Sequence, residues 1–129
     1  MDKLKILVID DEVYDMEATQ KLFVKAGFDV QVANSGEQGL EYLADNKVDA
    51  VLSDIVMQNM SGIDVLKQIR KKHGYLPVFL YTTYTNEKLF KEAEINNANG
   101  YLIHKDLNKS EIIFITNMIM IYYTETHRR

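Results

Sequence analysis

The stretch that decides the fold is Val51–Asp64, "VLSDIVMQNMSGID". Val51, Leu52 and Ser53 read as the end of a buried strand. One carboxylate, Asp54, follows, then a polar, methionine-rich loop, then Gly62 just ahead of a new amphipathic run. A carboxylate at the mouth of an apolar strand has two explanations. It satisfies the backbone of a turn, or it does chemistry. The residues at the ends of the other strands decide between them.

Working outward, five short apolar runs alternate with five longer helical patterns. The runs are Leu4–Ile9, Phe28–Ala33, Val48–Ser53, Val78–Thr82 and Tyr101–His104. The first, third and fourth are nearly continuous aliphatic and β-branched residues, as in strands buried on both faces of a parallel sheet. The second alternates Val30 and Val32 with Asp29 and Gln31, as an edge strand does. Helices are expected over Val13–Ala26, Ser35–Asn46, Ile63–His73, Asn86–Asn97 and Asn108–Glu125. Gly27 suits a C′ position and Ser35 an N-cap. Arg70, Lys71 and Lys72 complement the end of the third helix. Asn108 with Glu111 fits an N-cap with an acid at N3. Alternation over the whole length predicts an α/β fold with helices on both faces of the sheet.

The 129 residues, 47% hydrophobic and 26% charged, suit one domain spanning 1–129 without an internal linker. With no cysteine there are no disulfides, thiolate metal sites or thiol nucleophiles, and a cytoplasmic location is expected. Fifteen basic and 19 acidic residues leave a net charge of −4. No basic stripe is present, so no direct nucleic-acid binding is expected. The N-terminal "MDKLKILVIDDE" lacks signal-peptide organisation. The longest apolar-rich stretch, Ile112–Tyr123, is interrupted by Thr116 and Asn117 and falls short of the ~20 residues of a membrane span.

In parallel α/β sheets, ligands bind beyond the carboxyl ends of the strands. Strand 1 ends in Asp10, Asp11 and Glu12, strand 3 in Asp54, strand 4 in Thr82 and Thr83, and strand 5 in His104, Lys105 and Asp106. Each has an ordinary reading. Asp10 or Asp11 caps a helix, Asp54 makes an Asx turn, Thr82 is a common strand residue, Lys105 is solvated, and His104 is a surface or core histidine. Their conjunction is harder to dismiss. Two carboxylates ~5 Å apart at an effective dielectric near 20 repel by about 3 kcal/mol, so three at one rim need a countercharge. Hard oxygen ligands suit Mg²⁺. Carboxylate, divalent metal, lysine and hydroxyl are the parts that hold a phosphoryl group in transfer. A carboxylate that accepts it becomes an aspartyl phosphate, and Asp54, alone on the central strand, is the best acceptor.

The pieces "ILVIDDE", "VDAVLSDIVMQNMSGIDVLKQIR", "PVFLYTTY" and "GYLIHKD" together resemble the receiver domain of two-component response regulators, from about Leu4 to Tyr122. The resemblance implies a flavodoxin-like five-stranded parallel sheet of order 2-1-3-4-5. It implies that Asp54 takes phosphate from a sensor histidine kinase or a phosphotransfer protein, and that Mg²⁺ (or Mn²⁺) is the cofactor. Asp11, Asp54 and the Val56 backbone carbonyl would bind the metal directly, Asp10 mostly through water. Thr82 and Lys105 would hold the phosphoryl oxygens, and Tyr101 would move with Thr82 as the switch residue. Phosphotransfer and dephosphorylation would be self-catalysed; the domain is expected to be a switch, not a turnover enzyme. No output segment is legible before Arg129, which leaves open a stand-alone regulator or part of a larger protein.

Four positions depart from the family pattern. Gln58 replaces a proline, implying a looser loop. Thr83 replaces a small residue and crowds the site. His104 occupies the usual lysine position, with Lys105 one residue later. Asp106 replaces the proline that follows the lysine. A one-residue bulge turning Lys105 inward is expected, against the alternative that His104 has taken its place. A haloacid-dehalogenase-type hydrolase would need an acid two residues after Asp54, where Val56 stands. A flavodoxin would need a phosphate loop after strand 1. A receiver-like module that is never phosphorylated is opposed by the intact Asp10, Asp11, Asp54 and Thr82.

The last helix adds an expectation of its own. At ~100° per residue, Ile112, Ile113, Thr116, Ile119, Met120 and Tyr123 share one face, expected on the sheet. Phe114, Ile115, Met118, Ile121 and Tyr122 would then form an outer ridge. Contiguous apolar patches mark interaction sites, and the resemblance points to helix 4, strand 5 and helix 5 as a partner face. The ridge is expected to bury against a second receiver, as a homodimer, or against an adjoining domain if the chain is part of a larger protein.

Overall fold

A computed structural model of the chain describes residues 3–83, 86–103 and 108–126. The elements in chain order are β1 (Lys5–Ile9), α1 (Val13–Lys25), β2 (Asp29–Ala33), α2 (Gly36–Asp45), β3 (Ala50–Asp54), α3 (Gly62–Lys72), β4 (Val78–Thr82), α4 (Glu87–Ile95), β5 (Gly100–Ile103) and α5 (Lys109–Thr126). The five strands form one parallel sheet of order β2-β1-β3-β4-β5. Ile9 lies beside Ser53, Asp54 beside Tyr81, and Thr82 beside Ile103. The carboxyl ends of four strands are thereby level, which brings their terminal side chains to one rim.

Strand alternation divides the core in two. Leu7, Ile9, Val51 and Leu80 pack with Ile63, Leu66 and Ile69 of α3 on one side of the sheet. Ile6, Val8, Leu52, Phe79 and Tyr81 pack on the other with Phe23 of α1 and Ile112, Ile115 and Ile119 of α5. Both faces of the inner strands are covered, as their unbroken apolar runs require.

Local chemistry sets the helix ends. Ser35 accepts the Gln38 N–H at 3.1 Å. Ser61 and Asp64 form a reciprocal capping box at the start of α3. Asn86 accepts from Leu89 at 3.2 Å. Asn108 accepts from Ser110 and Glu111 while Glu111 accepts the Asn108 N–H at 2.8 Å. Gly27 ends α1 at φ 97°, where a glycine carries no Cβ penalty.

The α5 register corrects the expected one. Ile112, Ile115 and Ile119 are the buried side chains, and Met118 packs partly buried beside them. Ile115 is fully enclosed, so it belongs to the core and not to an outer ridge. Ile113 and Tyr123, expected on the sheet, are exposed. The i, i+3, i+7 spacing selects one stripe of a helix that is apolar on most sides. Of the expected ridge, Phe114 and Ile121 are exposed, and Met118 and Tyr122 are half-buried. Among the described residues no helix is long and apolar enough to cross a membrane.

Candidate functional site

Three aspartates meet at the carboxyl rim. One carboxylate oxygen from each of Asp10, Asp11 and Asp54 lies within 4.8 Å of the others. Asp10 is 0% exposed. Its Oδ1 accepts the Glu12 N–H at 2.9 Å, and its Oδ2 accepts the hydroxyl of Tyr81. Asp11 is exposed, and its Oδ2 accepts the Gln58 N–H at 3.0 Å. Asp54, half-buried at the last position of β3, accepts the Val56 N–H at 3.2 Å.

The electrostatics follow from this crowding. Burial first, then the charge of Asp10, push the Asp54 carboxyl up to about 7, with Asp11 adding to the rise and the Val56 N–H opposing it. Burial also raises the Asp10 carboxyl, against the Tyr81 hydroxyl and the Glu12 N–H, which favour its ionised form. Among the described residues no lysine or arginine pairs with any of the three. Clustered hard oxygens with excess negative charge fit a small divalent cation.

The loop behind Asp54 is built tightly. The Gly62 N–H donates to the Ile55 carbonyl at 2.9 Å. A Cβ on Gly62 would overlap the Asp54 carbonyl, so this close approach requires glycine. Met57 and Met60 pack onto the core and anchor the loop from beneath. Asn59 has a left-handed φ of 67°, which asparagine tolerates. Gln58 departs from the expected proline, yet it supplies an N–H that proline lacks. The bond to Asp11 ties down a loop that was expected to be looser.

Thr82 ends β4 almost wholly buried, whereas Thr83 is exposed. Tyr101 lies half-buried in β5, its ring edge-on to Phe90 at 5.3 Å. The Tyr101 hydroxyl is buried and has no hydrogen-bond partner among the described residues. Val56 follows Asp54 on the rim and is 52% exposed. His104, Lys105 and Asp106 lie outside the described residues, and with them the choice between Lys105 and His104.

One functional neighbour was missed in the sequence. Tyr81 reads there as an ordinary strand aromatic. Alternation carried a usable signal: Asp10, one residue past β1, continues the parity of Ile6 and Val8, and Tyr81 shares that of Phe79 on β4, the sheet side that α1 and α5 cover.

A doubly wound sheet of this order, with its acidic cluster where β1 and β3 diverge, defines a flavodoxin-like domain with a ligand site at the topological switch point. The chain belongs to the response regulator receiver domain family, which it matches over residues 6–117. It is therefore a receiver domain of two-component signalling, a signalling domain and not a conventional enzyme. The transcriptional regulatory protein ZraR of Escherichia coli strain K12 is 37% identical over 102 residues, covering 79% of this chain and 23% of that protein. The regulatory protein AtoC of the same strain is 36% identical over 110 residues, covering 84% and 24%. The chain thus spans about a quarter of the length of these relatives. A receiver domain from Clostridium thermocellum has 30% identity and a TM-score of 0.85, over 93% of this chain and 97% of that one. A CheY-like receiver from Methanospirillum hungatei shares the fold at 20% identity, with a TM-score of 0.89 over 96% and 99%.

Proposed function

We propose that this receiver accepts a phosphoryl group on Asp54 from the phosphohistidine of a sensor histidine kinase or phosphotransfer protein. The observation that carries the reading is the meeting of the Asp10, Asp11 and Asp54 oxygens within 4.8 Å. Asp11, Asp54 and the Val56 carbonyl would hold Mg²⁺ (or Mn²⁺), with Asp10 behind them, and the ion would supply positive charge against the three carboxylates. An Asp54 oxygen attacks phosphorus as the phosphorus–nitrogen bond breaks, and the leaving imidazole nitrogen keeps the electron pair and takes up a proton. Thr82 and Lys105 hold the phosphoryl oxygens, and Tyr101 follows Thr82 inward. Water later releases phosphate, so the domain resets itself.

Residues 1–129 act as one receiver unit in the cytoplasm, without contacting nucleic acid directly. The readout surface is α4, β5 and α5, where Phe90, Ile95, Ile103, Phe114 and Ile121 expose apolar side chains. These fit a second copy of the receiver, with Ile113 replacing Ile115 in the expected ridge.

Acetyl phosphate with Mg²⁺ should add one phosphoryl group to the intact mass of the wild type and none to Asp54→Asn. Equal labelling of the variant would overturn the assignment.

A further inference from the structure

The Tyr81 hydroxyl is a neutral side-chain donor that reaches the acidic cluster, donating to Asp10 Oδ2. Tyr81 stands on β4, two strands away from β1 and the Asp10 that follows it, with β3 and Asp54 between them. Its side chain is 4% exposed, on the sheet face it shares with Phe79. Its backbone carbonyl accepts the N–H of Ile55, the residue after Asp54, at 3.0 Å. One residue therefore fastens both sides of the rim. Its main chain holds the strand that carries Asp54, and its hydroxyl holds the carboxylate of Asp10.

Asp10 is consequently not free to turn. Its two oxygens are engaged from different directions, one by the Glu12 N–H at 2.9 Å and the other by Tyr81. An ionised carboxylate has about four lone-pair positions. Two are taken by these donors, and one Asp10 oxygen still lies within 4.8 Å of oxygens of Asp11 and Asp54. Groups that stand behind the metal ligands tune metal affinity, and Asp10 stands behind Asp11 and Asp54 in the proposed site, so what fixes Asp10 bears on that affinity. Thr82 follows Tyr81 directly on β4.

We propose that Tyr81 is a positioning residue of the divalent-cation site, acting on Asp10 through its buried hydroxyl and so setting the affinity for Mg²⁺. The inference rests on the metal site named in the proposed function. It gives a role to a residue that reads in the sequence as an ordinary strand aromatic.

The test is calorimetric titration of Mg²⁺ into the full chain at pH 7.5, comparing wild type with Tyr81→Phe, Asp10→Asn and the double variant. Phenylalanine keeps the ring and removes only the donor. Tyr81→Phe should weaken the Mg²⁺ dissociation constant roughly tenfold or more. In the Asp10→Asn background it should have no further effect, because the residue it acts through is gone. Thermal melts without metal report any purely structural loss, which would lower the melting temperature and leave the dissociation constant unchanged. A constant within twofold of wild type in Tyr81→Phe would overturn the inference and leave the metal site intact. Absence of binding by wild type would overturn both. Should Tyr81→Phe fail to fold, Tyr81→Leu takes its place in the same comparison, with the same weakening expected and a constant within twofold of wild type overturning the inference.

Discussion

The two ends of the sheet handle buried charge in opposite ways. At the amino end, Arg70 of α3 reaches across to the segments that lead into β4 and β5. Its Nε and Nη2 donate to the Asn97 carbonyl at 3.1 and 2.7 Å. Its Nη1 donates to the carbonyls of Gly74 and Leu76 at 3.0 and 2.7 Å, and Nη2 also reaches Asn99 Oδ1 at 2.9 Å. A guanidinium has five N–H groups, and every one has a partner here. Asn99 passes the network on by accepting the Val78 N–H at 2.9 Å. At the carboxyl end, three carboxylates share one rim and are held by a few N–H groups and one tyrosine. The closed end is built for stability. The open end gives stability away, and the negative charge that goes unpaired there among the described residues is what a cation can use.

The largest effect is expected at the closed end. Arg70→Ala strands the carbonyls of Gly74, Leu76 and Asn97 and should cost roughly 2–4 kcal/mol in urea melts. Arg70→Lys should recover less than half, because an ammonium cannot reproduce the planar fork. Full recovery by lysine would mean that charge, not geometry, holds this end together.

At the open end the sign reverses. The Asp54 carboxyl titrates at about 7 in the folded chain against 3.8 for the ordinary group, so the folded state holds its proton more tightly. Stability from this group is complete below pH ~4 and is lost as pH rises through about 7. In the metal-free protein, Asp54→Asn should therefore stabilise at pH 8 by roughly 1–2 kcal/mol, after discounting for the solvent exposure of a half-buried site. The gain should vanish near pH 4. Destabilisation of the variant at pH 8 would contradict the electrostatic account.

The smallest effect is expected in the loop. Gln58→Pro removes one exposed hydrogen bond to Asp11 and also restricts the unfolded chain, so the two contributions should cancel to within about 0.5 kcal/mol. A larger loss would make the Gln58 bond a principal anchor of the rim.

Much of this contrast is legible in the sequence, and the rest has identifiable physical reasons for being hidden. Continuous apolar runs set the parallel sheet, and the residues closing each run placed Asp10, Asp11, Asp54 and Thr82 on a common rim. The phase of α5 was not legible, since Ile112, Ile113, Ile115 and Ile119 offer more than one apolar stripe and only contact with Phe79 and its neighbours selects between them. Tyr81 was hidden because its contact spans 71 residues and depends on strand register and ring length together. The Gln58 bond was hidden because a backbone N–H has no side-chain signature; the missing proline was the only trace. Arg70 read as a charge complementing a helix end, and its reach to Asn97 and Asn99 depends on how the α4–β5 connection folds back.

The three clustered carboxylates of Asp10, Asp11 and Asp54 are proposed to hold a divalent cation. Thermal melts of the wild-type chain at pH 8, with and without millimolar Mg²⁺, test this most directly. Binding to the folded state alone stabilises by about 2.7 kcal/mol at a hundredfold excess over the dissociation constant. Mg²⁺ should raise the melting temperature of the wild type, and Asp11→Asn or Asp54→Asn should largely abolish that rise. An equal rise in the variants, or none in the wild type, would contradict the claim.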